Sequence, residues 1–477
     1  MDTATDNAAP TAGIADVFER QQARARQWRT STAAERIARI RKLLKAIEAY
    51  EYHLYLAAKA DFGKPEAEVD LTELLPVIGE AKHTISHLKR WMKPRRVRPT
   101  LAMAGTSGSI RCEPKGVVLI MAPWNYPFNL AMGPLVSALA AGNTAIIKPS
   151  EMTPQVSALI RRIVEETFEP DEVAVFEGGV ETATALLKLP FDHIFFTGSP
   201  AVGKIVMAAA ARNLSSVTLE LGGKSPTIVE RSADIKKAAR NIIWGKCTNN
   251  GQTCIAPDYL LVHNSIRVEF VEEAIRCLQH AYGHSYGEQL LSADYCRIVN
   301  DANCQRLLKL VDDARSRGAN VVAGGRAEAA QRFIAPTLLV DVPPDAAIMQ
   351  EEIFGPILPI LGYDELDDAI ALINGKPKPL ALYIYSRDKA AIRHVLTHTT
   401  AGDTCINHNM VHFLHQNLPF GGVNNSGIGK SHGFHGFVAF SHERSILQDR
   451  LTIFHWLFPP YTAAVQWLIR FAKNHLT

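Results

Sequence analysis

Between Gly116 and Ala211, short runs of apolar residues alternate with stretches of helical periodicity, and this alternation restricts the fold more than any other feature of the chain. Gly116 to Ala122 predicts a buried strand and Leu130 to Ala141 a helix. Thr144 to Ile147 then predicts a strand and Pro154 to Phe168 a helix. The pattern continues through Val173 to Phe176 (strand), Glu181 to Leu187 (short helix), His193 to Phe196 (strand) and Ala201 to Ala211 (helix). Apolar strands separated by helices imply parallel βαβ crossovers in a doubly wound α/β sheet. Such a sheet places its ligand at the carboxyl ends of its strands, so the chemistry should lie just after each apolar run.

The remainder of the chain supports more than one core. At 477 residues it exceeds what a single hydrophobic core usually sustains, so two or three domains are expected. Ile14 to Lys93 reads as helices, with Ile37, Ile40, Leu43, Leu44 and Ile47 at helical spacing. Pro94 to Cys112 is rich in Pro, Gly, Ser and Thr and suits a hairpin or an extended crossing segment. A second alternating section begins near Val217 and runs to about Asn407.

Charge and cysteine content exclude several classes of function. Lys and Arg exceed Asp and Glu by only three charges, which gives no electrostatic case for nucleic acid. The one basic run, from Lys89 to Arg98, is broken by Pro94 and reads as a solvated rim. Seven scattered cysteines without a CxxC pair suggest neither a zinc site nor a disulfide framework. With a polar first stretch, Met1 to Gly13, and no apolar run long enough to span a bilayer, a reducing, cytoplasmic setting is expected.

The strand ends carry the informative residues. Asn125, in Pro123-Trp-Asn-Tyr-Pro127, places an amide donor where it can meet an oxyanion. Lys148 and Glu151 follow the second strand, where the ribose of a dinucleotide would lie. The segment Phe196-Thr-Gly-Ser-Pro-Ala-Val-Gly203 opens a helix, and its glycines would let the backbone approach a pyrophosphate. It is not a GxGxxG fingerprint, and taken alone it serves equally as a plain turn. Glu220 ends the strand Val217 to Leu219, and Cys254 lies in the small-residue segment Gly251-Gln-Thr-Cys254. A cysteine and a carboxylate reaching one cleft supply a nucleophile and a base, although a lone cysteine is more often structural. The other six cysteines read as ordinary packing or surface residues.

Seven segments in order, PWNYP, KPSE, FTGSPAVG, ELGGKSP, GQTC, QEEIFGP and LPFGGVNNSGIG, together resemble the aldehyde dehydrogenase superfamily from about Ile14 to Ser441. Cys254-Ile-Ala-Pro-Asp-Tyr259 and Gly427-Ile-Gly-Lys-Ser-His-Gly433 are similar to the class 3 and coniferyl-aldehyde-dehydrogenase-like branch. The resemblance implies a Rossmann-like cofactor domain (1–93 and 112–219) and an α/β catalytic domain (220–410). It further implies bridging segments (94–111 and 411–450) that join a homodimer, with an apolar C-terminal tail (451–477). It assigns Cys254 as nucleophile, Asn125 with the Cys254 N–H as oxyanion hole, and Glu220 as the base of hydrolysis. NAD or NADP would meet Trp124, Lys148 and Glu151, the loop Gly198, Ser199 to Gly203, and Glu352 with Phe354. The expected reaction is oxidation of an aromatic or medium-to-long aliphatic aldehyde to its acid through a thioester. A CoA-acylating branch is the enzymatic alternative, disfavoured by Glu220; a non-catalytic binding relative is the other, disfavoured by the intact Cys254, Glu220 and Asn125.

Two features lie outside that assignment. His408, His412 and His415 sit at helical spacing, but no carboxylate or cysteine follows at ligand spacing, so core or loop histidines are expected. In the tail, Ile453, Phe454 and Trp456 precede Pro459-Pro460, after which Val465, Leu468, Ile469, Ala472 and Leu476 share one helical face. The preferred reading packs this helix on a partner subunit or over the substrate entrance. The alternative is peripheral contact with a membrane surface.

Overall fold

The computed structural model of the chain describes residue 11, residues 13–451 and residues 457–475. The polar stretch 1–10 and the tail residues Ile453, Phe454, Trp456 and Leu476 lie outside the described residues.

The first sheet has the strand order Gly427–Ile428, Ser216–Leu221, His193–Gly198, Val117–Met121, Thr144–Lys148, Val173–Val175. All pairings are parallel except that of the short edge strand Gly427–Ile428. Every residue of Val117–Met121 and Thr144–Lys148 is buried, as a sheet covered on both faces requires. The chain winds outward from Val117–Met121 through Thr144–Lys148 to Val173–Val175, then returns to the other side with His193–Gly198. This reversal opens a crevice at the carboxyl ends of Val117–Met121 and His193–Gly198, where Trp124, Asn125 and Ser199 stand.

Ser216–Leu221 belongs to this first sheet, so the second one starts later than the apolar pattern near Val217 suggested. Its order is Asn320–Ala323, Thr337–Val340, Ile357–Tyr363, Tyr259–His263, Pro226–Val229, Ala381–Tyr385, Asp403–Ile406, with only the first strand antiparallel. Glu220 ends the last parallel strand of one sheet six residues before Pro226 begins the other, which places it at the junction. Pro94 to Cys112 does form a hairpin: Arg95–Val97 pairs with Thr106–Pro114, and Ser441–Asp449 adds a nine-residue exposed edge. The basic run borders it, with Arg95 paired to Glu443 at 3.0 Å.

The N-terminal helices Ile14–Trp28, Ala33–Ala49, Glu51–Phe62 and Leu75–Trp91 pack beside the first sheet. Ala33–Ala49 starts with a reciprocal Thr32–Glu35 capping box and buries Arg36, Ile40, Leu43 and Ile47. The buried Arg36 guanidinium donates to the carbonyls of Ala140 (3.1 Å) and Ala141 (2.5 Å). These are end carbonyls of the helix Asn129–Ala141, where a cation satisfies orphaned acceptors and opposes the negative pole.

His408, His412 and His415 surround a single turn, Val411–Leu414, rather than lining one helix. The helix Ala463–His475 buries none of its residues; Trp467 and Phe471 stack on each other, ring centres 5.6 Å apart, and both are exposed. Among the described residues no helix is long and apolar enough to cross a membrane.

Candidate active site

Cys254 follows a turn that few sequences can make. Asn249 and Asn250 take φ of 52° and 56°, and Gly251 follows at 70°, three successive left-handed residues. Asparagine tolerates this region better than most side chains, and glycine tolerates it freely. At Gly251 a Cβ would also collide with the Gly355 carbonyl. The Asn249 N–H donates to Glu68 (2.9 Å) and the Asn250 side chain to the Cys296 carbonyl (2.6 Å). Gln252 donates to the carbonyls of Asn249 (3.0 Å) and Arg297 (3.1 Å). Asn-Asn-Gly is a turn signal legible in the sequence; Glu68, the acceptor that holds it, carried no local signal.

Asn125 is buried beside this turn. Its amide donates one N–H to the Gln252 carbonyl at 3.0 Å, which fixes its plane two residues from the cysteine and leaves a second N–H to serve an oxyanion. Its backbone carbonyl accepts from Asn249 (2.8 Å) and from Lys64 (3.4 Å). Lys64 is in turn paired with Glu73 at 2.8 Å, both fully enclosed. Glu73 then accepts the Asn129 N–H at 2.8 Å, so one buried ion pair anchors both ends of the loop carrying Asn125. Nothing in the spacing of Lys64 and Glu73 marked them beforehand. Tyr126 completes the support through a 2.6 Å hydrogen bond between its hydroxyl and Thr253.

Glu220 and Cys254 face one apolar cavity of about 90 Å³, walled by Leu130, Pro134, Phe413, Phe420 and Phe440 among others. Its lining is almost wholly apolar, which favours a hydrophobic group beside the thiol. Glu220 Oε1 accepts from the Ser431 hydroxyl at 3.1 Å, while Oε2 is buried without a partner among the described residues. Burial pushes its carboxyl up to about 8, assisted by Asp403 and opposed by Ser431 and Lys430. Burial likewise pushes the Cys254 thiol up to about 12, with the Glu352 and Glu220 carboxylates adding to the rise. The thiol is therefore protonated near neutral pH and must lose its proton to a base during attack.

The dinucleotide candidates gather along the carboxyl ends of the first sheet. Lys148 donates to Glu151 at 2.7 Å; burial, the largest single influence, works against ionisation of Glu151, but this bond, a backbone hydrogen bond and the Lys148 charge together hold the carboxyl below its usual range. Ser199 caps the helix Pro200–Ala211 by accepting the Val202 N–H at 3.3 Å, and Gly198 precedes it. Gly203 lies where a Cβ would come within 2.7 Å of the end of the Leu221 side chain, which would have to move aside. On the other side, Glu352 presents a buried Oε1 without a partner among the described residues. Phe354, at φ 51°, meets the Trp124 ring edge-on at 5.3 Å. Burial, with Asp258 adding to it, raises Glu352 to about 8. Cys254 and Glu220 thus line one cavity, Asn125 is held beside the cysteine turn through Gln252, and Trp124 packs against Phe354, two residues from Glu352. Lys148, Glu151 and the Gly198–Gly203 loop stand further along the same sheet edge.

Residues 3–446 match the family model "Aldehyde dehydrogenase family". The chain is 45% identical over 446 residues to the 4,4'-diaponeurosporen-aldehyde dehydrogenase of Staphylococcus aureus, covering 93% of this chain and 96% of that protein. It is 42% identical over 438 residues to "Aldehyde dehydrogenase, dimeric NADP-preferring" of Rattus norvegicus (92% and 95% covered). To the "Probable coniferyl aldehyde dehydrogenase" of Pseudomonas aeruginosa it is 41% identical over 455 residues (95% and 94%). The fold superposes on a substrate-bound Staphylococcus aureus AldH with a TM-score of 0.91, 44% identity, and 96% and 99% of the two chains covered. A Mycobacterium tuberculosis aldehyde dehydrogenase in complex with NAD+ gives 0.82 at 28% identity, with 92% and 91% covered.

Proposed function

The chain belongs to the aldehyde dehydrogenase family and is an NAD(P)-dependent aldehyde dehydrogenase, and from that premise we propose that it oxidises hydrophobic aldehydes through a thioester on Cys254. The observation carrying this is that Cys254 and Glu220 share one narrow apolar cavity. Its aromatic and aliphatic wall suits an aromatic or a medium-to-long aliphatic aldehyde, and the coniferyl and diaponeurosporenal relatives are named for such substrates.

The thiol attacks the aldehyde carbon as its proton passes to a neighbouring carboxylate, Glu220 and Glu352 being the two whose charge it feels. The carbonyl oxygen becomes an oxyanion, held by the free N–H of Asn125 and by the Cys254 backbone N–H. NAD(P) held beside the thiol would supply the hydride acceptor that the oxidation requires. Trp124, Lys148, Glu151, Gly198, Ser199, Gly203, Glu352 and Phe354 fit that cofactor: they offer carboxylates to ribose hydroxyls, a helix N-terminus to phosphate, and an aromatic pair beside the ring. Glu220 then takes a proton from water, which attacks the thioester and releases the acid and the thiol. The direct test follows reduced-cofactor absorbance with benzaldehyde, coniferaldehyde, hexanal and a long-chain aldehyde. Turnover that favours short hydrophilic aldehydes would contradict the substrate class.

Glu151 should set the choice between cofactors. Its carboxylate, held by Lys148, accepts a ribose 2′-hydroxyl, whereas a 2′-phosphate would have to displace it. Glu151→Gln is expected to raise the NADP:NAD ratio of kcat/KM by about tenfold, the equivalent of ~1.4 kcal/mol; a ratio that does not move would remove Glu151 from the cofactor site.

The proposed division into 1–93 with 112–219, 220–410, and bridging segments 94–111 with 411–450 is supported by the separate three-, seven- and six-stranded sheets, although the strand Ser216–Leu221 crosses the 219/220 boundary and Gly427–Ile428 joins the first sheet. A homodimer joined through the bridging segments is supported by the exposed nine-residue edge Ser441–Asp449, since a long open edge strand is a template for pairing, and by the dimeric relative. The uncovered Trp467 and Phe471 of the tail helix suit the partner subunit first and a membrane surface second, within a cytoplasmic setting. Deleting residues 463–477 should change the oligomeric mass in light scattering. An unchanged mass together with lost flotation on anionic vesicles would assign the helix to the membrane instead.

A further inference from the structure

Glu80 and His432 also border the cavity, and the mechanism above uses neither. Glu80 projects from the helix Leu75–Trp91 and is buried; its Oε1 accepts the Gly433 N–H at 2.8 Å, while its Oε2 has no hydrogen-bond partner among the described residues. His432 Nδ1 lies 4.0 Å from that Oε2. The separation is too long for a direct hydrogen bond and suits one oxygen bonded to both. His432 takes φ 69° and ψ 137°, a conformation disfavoured for any residue with a side chain. The Glu80 bond to the next N–H holds the turn there, and strain of this kind gathers at ligand sites. The Phe420 ring packs edge-on against His432 at 5.2 Å, so the polar pair is set in an otherwise apolar wall.

We infer that Glu80 and His432 form a polar subsite of the substrate cavity that binds a hydroxyl group carried by the aldehyde away from its reacting carbon. This rests on the aldehyde reading of the cavity and extends it to a substrate class: hydrophobic aldehydes bearing a hydroxyl. A hydroxyl donates and accepts at once, which matches a carboxylate oxygen facing an imidazole nitrogen. Burial raises Glu80 to about 7 and lowers His432 to about 4, so near neutral pH the ring is uncharged and can donate through Nδ1 to the hydroxyl oxygen. Ser431, next to His432, holds Glu220, so the subsite and the base are carried by consecutive residues.

The test compares kcat/KM for 4-hydroxycinnamaldehyde, its 4-methoxy analogue and unsubstituted cinnamaldehyde in the full-length enzyme. The wild type should prefer the hydroxylated aldehyde over the unsubstituted one by about tenfold, as expected for a buried hydrogen bond to a charged group. In Glu80→Gln the amide oxygen can still accept the Gly433 N–H, but a donor replaces Oε2. The ratio should fall to within about twofold of one, and the methoxy analogue, an acceptor only, should gain relative to the hydroxyl. His432→Gly, which adopts this backbone freely and withdraws Nδ1 without a replacement donor, should lower the same ratio. A ratio is unaffected by any uniform loss of activity, so partial damage to the fold does not mimic the result. A wild type without the preference, or a Glu80→Gln enzyme that keeps it, overturns the subsite. If no aldehyde turns over, the aldehyde reading fails instead, and calorimetric Kd values of the corresponding 4-hydroxy and unsubstituted cinnamyl alcohols decide the subsite by the same ratio.

Discussion

Replacing Cys254 by alanine should abolish aldehyde-dependent reduction of NAD(P), by on the order of 10⁴-fold or more, because the covalent route loses its nucleophile. Cys254 is half-buried, lines the cavity and sits where a single small side chain is lost, so neither packing nor a hydrogen bond explains so large an effect. Cofactor binding, read as quenching of tryptophan fluorescence, should survive, since no residue assigned to the dinucleotide changes. The six other cysteines provide the control. Cys247, Cys296 and Cys304 are buried and do not line the cavity, so an aldehyde bound there does not meet them. Cys405→Ala, a change at a half-buried thiol in the strand Asp403–Ile406, should leave turnover within a few-fold. Residual activity above one per cent in Cys254→Ala would rule out the thioester on this residue. Silence in the wild type with cofactor still bound would favour the non-catalytic alternative.

The sequence was most legible where one strand or one turn sets a residue's place. Apolar runs located the five parallel strands of the first sheet to within a residue or two, and Asn125, Lys148, Glu151 and Gly198 follow because they come directly after strand ends. Cys254 was legible through the small-residue segment Gly251-Gln-Thr-Cys254 and its family resemblance, whereas the left-handed turn Asn249-Asn250-Gly251 that carries it was not singled out. Groups whose role depends on long-range packing were not legible. Lys64 lies in the short link after the helix Glu51–Phe62 and Glu73 in the helical segment Asp70–Leu74, within a stretch that reads simply as amphipathic, yet the pair holds the Asn125 loop in place, Lys64 from 61 residues away. Glu80 meets Gly433 across 353 residues, and no local pattern records such a contact. Ser216–Leu221 was a shared-border case: its apolar run fits either sheet, and only pairing with His193–Gly198 decides between them. The histidines near 412 mislead by spacing alone, because Asn407 and Met410 take positive φ and break the helix that would align them.

Glu220→Gln should separate the two halves of the reaction. Acylation needs the thiol, a base for its proton, the oxyanion donors and the cofactor, and Glu352 can take that proton; hydrolysis needs a base for water, and Glu220, which lines the cavity with the thiol, is placed for it. The glutamine enzyme should therefore release one equivalent of reduced cofactor per site in a burst, then stall at a steady rate lowered about 10²- to 10⁴-fold. The wild-type pH profile follows from the same residue. Its carboxyl is pushed up to about 8, chiefly by burial, so the basic form is scarce below that pH and gains as pH rises through it. Where hydrolysis limits the rate, turnover should climb about tenfold from pH 7 to pH 9, because only about a tenth of a group titrating at 8 is ionised at pH 7. Ser431→Ala removes the hydrogen bond that favours the ionised form, so it should move the inflection to higher pH while leaving the burst intact. A CoA-acylating enzyme would behave otherwise: adding CoA would accelerate the wild type, and Glu220→Gln would hardly slow it. A glutamine variant without a burst would instead place Glu220 in thiol activation, with Glu352, the other carboxylate felt by Cys254, left to serve the water.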